Sequence, residues 1–332
     1  MTLNPFAWVH SHILLSLLAI SPLLAQTIDT GILGTVRDST GAVVAGAPVT
    51  ISQSTTGLTR TVGTNAEGYY EVRYLLPGEY SAETHVSGFR SERQTGIVIQ
   101  IGQQARINFT IQVGAVEERL EVTADAPLIQ TENAAMGAVV SQERVVNLPL
   151  NGRRFLDLAA LTPGVTLTTS AQYSILKTNG TRNTTMALSF DGASATTNRW
   201  AFVAMFPSLD AIQEFKVLSG SYTAEYGGNA GANVNVQLKS GTNNLHGSTY
   251  EFLRNNDLDA RNYFRPGPLT KDVLHRNQFG AVVDGRIIKD KTFFMVGWES
   301  QRNVADTGRG CLSGGQHTSP RCHRAGSRNA WR

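Results

Sequence analysis

Apolar and polar residues alternate through most of this chain, which is the two-residue period of a half-buried strand and predicts a mainly β protein. Between residues 27 and 115 the alternating runs are short. Turns rich in Gly, Pro, Asn and Asp separate them at intervals of about 8 to 12 residues, which is typical of a β-sandwich. We expect alternate positions to fill its core, namely Val72, Tyr74, Val98, Ile107, Phe109 and Ile111.

The middle of the chain mixes helical and strand periods. Residues 153–161 predict a helix that ends at Thr162-Pro163-Gly164 and buries one face, formed by Phe155, Leu156, Ala159 and Ala160. Asp191-Gly192 indicates a hairpin turn. From Ser208, a candidate N-cap, a short helical start leads into a strand, a glycine-rich hinge and an alternating run over 232–238.

Longer strands rich in aromatic residues follow residue 245. The segments HGSTYEFLRNN, NQFGAVVDGRI and KTFFMVGWES have the length of about 9 to 11 residues that a tilted membrane strand needs. The second and third segments each place apolar residues on one face, namely Phe279, Ala281, Val283 and Ile287, and Phe294, Val296 and Trp298. This pattern fits a hairpin of a membrane barrel, and it also fits a soluble hairpin.

The two ends of the chain differ from its body. Residues 1–26 predict a secretory signal, because an apolar run precedes the small residue Ala25; a short anchor or a buried helix is the alternative. Residues 304–332 are rich in Arg, Gly and Ser and do not alternate, so we expect a disordered tail or one translated in a shifted reading frame.

Composition and sequence motifs limit the classes of function that we expect of this chain. The net charge of the 332 residues is +3, but residues 304–332 carry five of the 29 basic side chains and one of the 26 acidic ones, so nucleic-acid binding is not expected. Cys311 and Cys322, with two nearby histidines, fit no zinc motif. With neither HExxH nor GxSxG present, we expect no enzyme activity, no catalytic or metal-binding residue and no cofactor.

Two stretches of the sandwich region, GTVRDSTGAVVAGAPVTIS and TNAEGYYEVRYLLPGEYSAETHVSGFR, resemble the carboxypeptidase-regulatory-like domain. The resemblance implies a prealbumin-like β-sandwich whose tight turns are at Asp38 with Gly41 and at Asn65 with Gly68. It implies no peptidase activity, because His85 is the only histidine in this region and a peptidase zinc needs several ligands.

Three further stretches resemble the plug domain of TonB-dependent receptors: VVNLPLNGRRFLDLAALTPGV, LSFDGASATT and SLDAIQEFKVLSGSYTAEYGGNAGANVNVQLKSGTNN. The order of a sandwich followed by a plug resembles the domain order of the Oar-like receptors of that family. The resemblance implies a mixed α/β plug domain and, after it, the first few strands of an outer-membrane β-barrel. Several charged residues are candidates for the plug–barrel interface, or else solvated loop charges: Arg153, Arg154, Asp157, Asp191, Arg199 and Glu225.

The segment VEERLEVTADA, residues 116–126, has two interpretations. It is either a linker or last strand of the sandwich, or the short segment with which TonB-dependent receptors pair edge to edge with a TonB-type periplasmic energy-coupling protein. A short β-prone peptide suits such strand addition, because main-chain hydrogen bonds supply the affinity. The candidate partner-binding residues are Leu120, Glu121, Val122, Thr123 and Ala124.

The resemblance thus implies the N-terminal portion of a TonB-dependent outer-membrane receptor, whose plug gates uptake of an unknown substrate, such as an oligosaccharide, a peptide or a metal chelate. The alternative is a secreted or periplasmic binding or adhesion module built on the sandwich. We expect six segments: a signal (1–26), the sandwich (27–115), the linker (116–126), the plug (127–244), initial barrel strands (245–303) and the tail (304–332). We expect the outer membrane of a Gram-negative-type bacterium, or the periplasm if the chain is truncated. Since an open sheet leaves unpaired edges in lipid, we do not expect the chain to transport by itself.

Overall fold

The computed structural model describes residues 29–114, 119–123, 134–169, 174–182, 185–196, 203–260 and 273–306. These residues form five β-sheets, together with helical segments of at most six residues. The fold is therefore mainly β, as predicted. In the described ranges, none of the helices is long and apolar enough to cross a membrane.

The first two sheets form the sandwich. Its strands are β1 (Gly31–Asp38), β2 (Pro48–Gln53), β3 (Thr59–Gly63), β4 (Tyr69–Arg73), β5 (Gly78–Thr84), β6 (Ser91–Ile99), β7 (Gln104–Arg106), β8 (Phe109–Ile111) and β9 (Arg119–Thr123). One sheet has the order β4-β1-β7, with β8 also paired to β1, and the other has the order β3-β2-β5-β6-β9. Both sheets contribute to one buried core, which includes Ile32, Val36, Val49, Ile51, Tyr70, Val72, Tyr80, Ile97, Ile99, Phe109 and Ile111.

Two of the six predicted core residues are wrong. Tyr74 and Val98 are more than half exposed, whereas Val72, Ile107, Phe109 and Ile111 are buried. Tyr74 follows the end of β4 and has a left-handed backbone (φ 59°), so it does not continue the inward face of that strand. In β6 the pairing with β5 shifts near Gly96 (φ 73°), and the strand beyond it turns Ile97 and Ile99 inward and Val98 outward.

The next segment, which we call the central domain, contains β10 (Met136–Ser141), α1 (Gln142–Asn147), α2 (Phe155–Ala159), β11 (Val165–Thr169), β12 (Ser174–Thr178), β13 (Ala187–Phe190), β14 (Ala193–Ser194), β15 (Ile212–Gly220) and β16 (Asn233–Leu238). Single 3₁₀ turns lie at Leu209–Ala211 and Ala224–Tyr226. Its main sheet has the order β10-β15-β16-β13-β14, and β11 and β12 form a separate hairpin. The short helices pack on this sheet, with the Phe155 ring 5.7 Å from that of Phe215 and 6.1 Å from that of Phe190.

The helix and the turn predicted for the central domain are both present, and the helix is shorter than predicted. The helix predicted over 153–161 is confined to α2, where Phe155, Leu156 and Ala159 are buried as expected. Ala160 caps the helix and is exposed, and Leu158 takes the buried position instead. Asp191-Gly192 forms the expected turn, with φ values of 48° and 84° that suit a two-residue hairpin.

The last sheet, which we call the long sheet, consists of β17 (His246–Asn255), β18 (Val273–Ile288) and β19 (Thr292–Asp306). The strands are antiparallel neighbours in chain order, and β18 and β19 are 16 and 15 residues long, which exceeds the predicted length. β19 continues to Asp306, so the predicted boundary of the tail at residue 304 is wrong: the pairing of β18 with β19 extends the strand past it. The remainder of the predicted tail and the predicted signal segment lie outside the described residues.

Candidate functional site

The loop that joins α1 to α2 reaches from the central domain to the long sheet. Gly152 (φ 85°) and Arg153 (φ 52°) both have a left-handed backbone, which glycine adopts freely but which costs an arginine roughly 1 kcal/mol or more. Next to this turn, the Asn151 side-chain oxygen accepts hydrogen bonds from Arg254 at 2.6 Å and from Arg276 at 3.2 Å. Asn151 therefore connects the central domain to two strands of the long sheet.

Arg153 makes the second connection between the same two units. Its guanidinium forms an ion pair with Asp210, which lies in the 3₁₀ turn before β15; the two side chains are only 6% and 10% exposed. The same guanidinium lies over the rings of Tyr250 and Phe252 in β17, 4.6 and 4.1 Å from their centres. Cation–π contacts and a buried ion pair are both stronger away from water, so Arg153 acts as a clamp between the central domain and the long sheet.

The two faces of the long sheet differ in chemistry. On the face toward the central domain, Tyr250 donates a 2.6 Å hydrogen bond to Glu299, and Gln278 donates a 2.7 Å bond to the other oxygen of the same carboxylate. The opposite face carries a cluster of apolar side chains that are partly or largely exposed, among them Phe279, Ala281, Val283, Val296 and Trp298. Neither face is uniform, since Phe252 lies on the face toward the central domain and Glu251 and Arg302 lie on the outer face. The long sheet therefore makes polar contacts toward the central domain and has an exposed apolar cluster on its outer face.

Replacing Arg153 by Met should loosen the contact between the central domain and the long sheet. The change leaves Asp210 buried without its cation, which costs about 3 to 5 kcal/mol when a buried pair is broken. We expect a lower free energy of unfolding by chemical denaturation, and faster amide hydrogen exchange in β15 and β17.

The double variant Arg153→Met/Asp210→Asn should recover part of the loss, because no unpaired charge stays buried. Arg182→Met, which changes an exposed arginine of the same domain, is the matched control and should have little effect. Equal stability of Arg153→Met and Arg182→Met would contradict the role of Arg153 as a clamp.

A second junction joins the sandwich to the central domain. Phe215 and Val217 of β15 face the core of the central domain, while Glu214 and Lys216 point to the other side of the strand. Glu214 accepts a hydrogen bond from the Ile101 amide, and Lys216 donates one to the Gly102 carbonyl at 2.9 Å. The two charged side chains thus bind the backbone of the sandwich turn that follows β6.

Further contacts hold the sandwich at this position. Gln213 donates a 3.1 Å hydrogen bond to the Pro77 carbonyl, in the turn before β5. At the base of the long sheet, the Asn243 amide donates a 3.2 Å bond to the Thr55 carbonyl of the sandwich, and the Asn243 side chain donates a 2.7 Å bond to Asp290 in the β18–β19 turn. The sandwich therefore contacts the central domain and the end of the long sheet at separate points.

Glu214 and Lys216 are almost entirely buried, at 8% and 6% exposed. Burial raises the pKa of the Glu214 carboxyl to about 7, although the Ile101 amide and the positive charge of Lys216 oppose the rise. Burial likewise lowers the pKa of Lys216, and the charge of Glu214 offsets part of that effect. Sequence patterns did not single out either residue, because a charged position in a strand normally predicts a solvent-facing side chain.

This junction should weaken as the pH rises from about 4.5 to about 7. The docked form holds the Glu214 proton more tightly than free glutamate does. The stabilisation that Glu214 contributes to docking is therefore complete below the unperturbed pKa of the carboxyl, and it is lost as the pH passes through about 7. The lowered pKa of Lys216 acts in the other direction, since it favours docking at alkaline pH. Protection factors of the Ile101 and Gly102 amides in hydrogen exchange should fall by up to about tenfold per pH unit in this window.

The variant Glu214→Gln keeps a side-chain oxygen for the Ile101 amide and removes the titration, so its protection factors should be flat with pH. Glu143→Gln changes an exposed carboxylate at the rim of the adjacent cleft between sandwich and central domain and should retain the wild-type slope. The same slope in wild type and Glu214→Gln would exclude Glu214 as its source.

The candidate partner-binding segment lies in the sandwich sheet. Residues 120–123 belong to β9, which pairs in parallel with β6 from Ser91 opposite Arg119 to Thr95 opposite Thr123. Ala124, the fifth candidate residue, lies outside the described residues. This pairing fits a last strand of the sandwich, and it does not test the predicted contact with a partner. β9 is at the end of the sheet order, and within the described ranges no strand lies beside its other edge.

The charged residues predicted for a plug–barrel interface separate into different locations. Arg153 contacts the long sheet, as described above, whereas Asp191 accepts hydrogen bonds from Gln237 at 2.6 Å and from the Leu238 amide at 3.0 Å within the central domain. Glu225 is close enough to the sandwich for Asp29 and Arg73 to influence its pKa, which burial raises. Asp191 and Glu225 therefore do not serve the predicted interface: the first closes a turn and the second faces the sandwich.

Two further charged residues predicted for this interface lie at the start of α2. Arg154 occupies the N-cap position of the helix, and Asp157 lies in its first turn, where burial raises the pKa of the carboxyl. Arg199 lies outside the described residues. Among the described residues, no group of three or more His, Cys, Asp or Glu side chains could hold a metal ion.

Comparisons with known proteins match two parts of the chain. Residues 31–112 match the family described as the carboxypeptidase regulatory-like domain, and residues 237–311 match the family described as the outer membrane beta barrel domain. A curated relative, the TonB-dependent transporter Oar of Myxococcus xanthus, is 26% identical over 282 residues, which cover 80% of this chain and 26% of that protein. The chain thus spans about a quarter of the length of this relative.

Two solved receptor structures are also similar in part. The siderophore receptor PirA from Acinetobacter baumannii has a TM-score of 0.38 at 22% identity, over 51% of this chain and 24% of that one. The ferric enterobactin receptor PfeA from Pseudomonas aeruginosa has a TM-score of 0.39 at 14% identity, over 52% of this chain and 25% of that one.

Proposed function

We propose that this chain, which is related to the Oar-like TonB-dependent receptors, forms the N-terminal portion of an outer-membrane transporter and that its central domain acts as the plug. In this proposal the long sheet belongs to the barrel wall, and the plug blocks the lumen until an energy-coupling protein acts on it. The sandwich lies on the periplasmic side, at the end of the barrel where the β18–β19 turn is short. The observation that carries the proposal is the Arg153 clamp between the central domain and the long sheet.

The chemistry of the long sheet supports the position of the plug. A barrel wall must present apolar side chains to lipid and tolerates polar ones toward its interior. The outer face carries Val296 and Trp298, whereas the inner face carries Glu299 and Gln278, which are hydrogen-bonded and lie toward the central domain. A domain attached to the face that carries Glu299 and Gln278 occupies the side that becomes the lumen.

The coupling step in this proposal uses Leu120–Ala124. The described part of this segment, Leu120–Thr123, is extended, and no described strand lies beside its outer edge, which suits main-chain pairing with a TonB-type periplasmic energy-coupling protein. The named relative is a TonB-dependent transporter, which supports this class of partner. We propose no catalytic role for any residue: the side chains at the two junctions form structural contacts, and transport needs the plug to move rather than a covalent step.

The two faces of β19 should respond differently to a quencher carried by detergent. With Cys311 and Cys322 replaced by Ser, a fluorophore is attached at Val296→Cys, at Trp298→Cys or at Gln301→Cys, and the chain is dissolved in micelles of a detergent with brominated tails, because an open sheet leaves its edges unpaired in a bilayer. Strong quenching is expected at 296 and 298, which face the detergent tails. Gln301 lies on the other face of the same strand and should be quenched weakly.

The matched positions lie within six residues of one strand, so differences in micelle binding affect all three alike. Equal quenching at 296, 298 and 301 would contradict a membrane-wall role for the long sheet. It would favour the alternative of a periplasmic binding module, in which both faces of the sheet meet water or protein.

A further inference from the structure

Three arginines lie together where the loop between α1 and α2 meets the long sheet. Arg254 of β17 and Arg276 of β18 are opposite each other in the strand pairing, so their side chains share the face toward the central domain. Arg154, the N-cap residue of α2, is close enough for its charge to act on that of Arg276. Like charges directly opposite each other destabilise a sheet, so this arrangement needs compensating negative charge.

The neighbouring carboxylates compensate only two of the three positive charges. Asp259 pairs with Arg254, and one oxygen of the carboxylate is 3.0 Å from both Nε and Nη2 of the arginine. Asp157 is close enough to Arg154 for the two charges to attract each other. Within the described ranges, Arg276 forms no ion pair, and its Nε–H group is buried without a hydrogen-bond acceptor. Arg276 is therefore the member of the cluster that lacks a counter-ion among the described residues.

The loop beside Arg276 adds a donor and leaves room for the guanidinium. Asn151 accepts hydrogen bonds from Arg254 and Arg276 with its side-chain oxygen, so its NH2 group is left as a further donor. A Cβ atom at Gly152 would lie 2.8 Å from Nη1 of Arg276, so the absence of a side chain there lets the guanidinium approach the loop. Guanidinium groups present their donors in a planar fork that matches a carboxylate or a phosphate. The cluster thus combines donors from two strands and a loop in a form that suits an oxyanion.

The cluster lies at the end of the long sheet that is away from the sandwich. Arg276 is near the start of β18, whereas the β18–β19 turn, where Asn243 contacts both the sandwich and Asp290, is at the other end of that strand. In the proposed function the sandwich end is periplasmic, so the cluster is at the extracellular end of the plug. Arg254 is 42% exposed, which leaves the cluster open to a ligand.

We propose that Arg154, Arg254 and Arg276 bind an oxyanion, a carboxylate or a phosphate group, of the molecule that the transporter takes up. The substrate is therefore acidic, which favours an acidic chelate or an acidic peptide over a neutral oligosaccharide. The assignment of the anion to a substrate rests on the proposed function, whereas the anion site itself depends only on the three guanidinium groups. A bound oxyanion supplies the counter-ion that Arg276 lacks, and it contacts the plug and the barrel wall together.

The test measures the binding of citrate and of inorganic phosphate to the full chain in detergent micelles. Ionic strength is held constant with sodium chloride, and binding is followed by calorimetry and by the shift of the denaturation midpoint. Arg276→Gln removes the uncompensated charge, and Asn151→Asp places a carboxylate beside Arg254 and Arg276. Arg302→Gln is the matched control, because Arg302 pairs with Asn277 at the same level of the long sheet but on its outer face.

Wild type and Arg302→Gln should bind at least one of the two anions and should unfold at a higher denaturant concentration in its presence. Arg276→Gln and Asn151→Asp should each weaken this binding by about tenfold or more, since the first loses a charged donor and the second repels the anion. Without an anion, neither variant should be less stable than wild type, because each reduces the uncompensated positive charge of the cluster.

Binding of citrate alone would support a carboxylate-bearing substrate, and binding of phosphate alone would support a phosphate-bearing one. Binding of neither anion by wild type, or equal affinity of wild type and Arg276→Gln, would overturn the inference. A loss of stability in anion-free Arg276→Gln would also overturn it, because Arg276 would then be a structural contact.

These results leave the proposed function standing, since quenching along β19 tests that function separately. Equal quenching at 296, 298 and 301, with anion binding intact, would instead refute the transporter. The anion site would then belong to a periplasmic binding module, and the acidic molecule would be its ligand and not a transported substrate.

Discussion

A charged side chain that is removed from water must find a partner inside the protein, and three such side chains lie within seven residues of each other in this molecule. Asp210 pairs with Arg153, and Glu214 and Lys216 bind the backbone of the sandwich turn. Because an unpaired buried charge is far more costly than a paired one, each contact depends on the presence of its neighbour. The segment from residue 209 to β15 is thereby fixed to the sandwich on one side and, through Arg153, to the long sheet on the other.

This arrangement gives the central domain two separate attachments, one to each neighbouring unit, which suits its proposed role as a plug. Among the described residues, its attachment to the long sheet depends on polar and cation–π contacts and not on a continuous apolar core, so it can be released without unfolding the sheet. Its attachment to the sandwich titrates near neutral pH through Glu214. The sandwich therefore connects β9 to the central domain, through β6 and the turn that follows it.

The sequence predicted local features better than contacts between distant residues. Asp191-Gly192 was recognised as a turn because the residues themselves favour that backbone. The inward face of β6 was misassigned at Val98, since the shift of register near Gly96 depends on the pairing with β5. The pairing of β9 with β6 is parallel and long-range, so no local pattern predicts it. Glu214 is buried by a turn that lies over a hundred residues away in the chain, so its neighbours in sequence do not predict its burial.

The most direct test of this account is the distribution of distances between pairs of spin labels on the three units. It is measured by pulsed electron paramagnetic resonance in the full chain, with both native cysteines replaced. Labels at the exposed positions Thr61, Ser194 and Gln301 report on the sandwich, the central domain and the long sheet in turn. The account predicts a single narrow distribution for each of the three pairs at pH 5. Broad distance distributions for these pairs, with the central domain still folded, would contradict it.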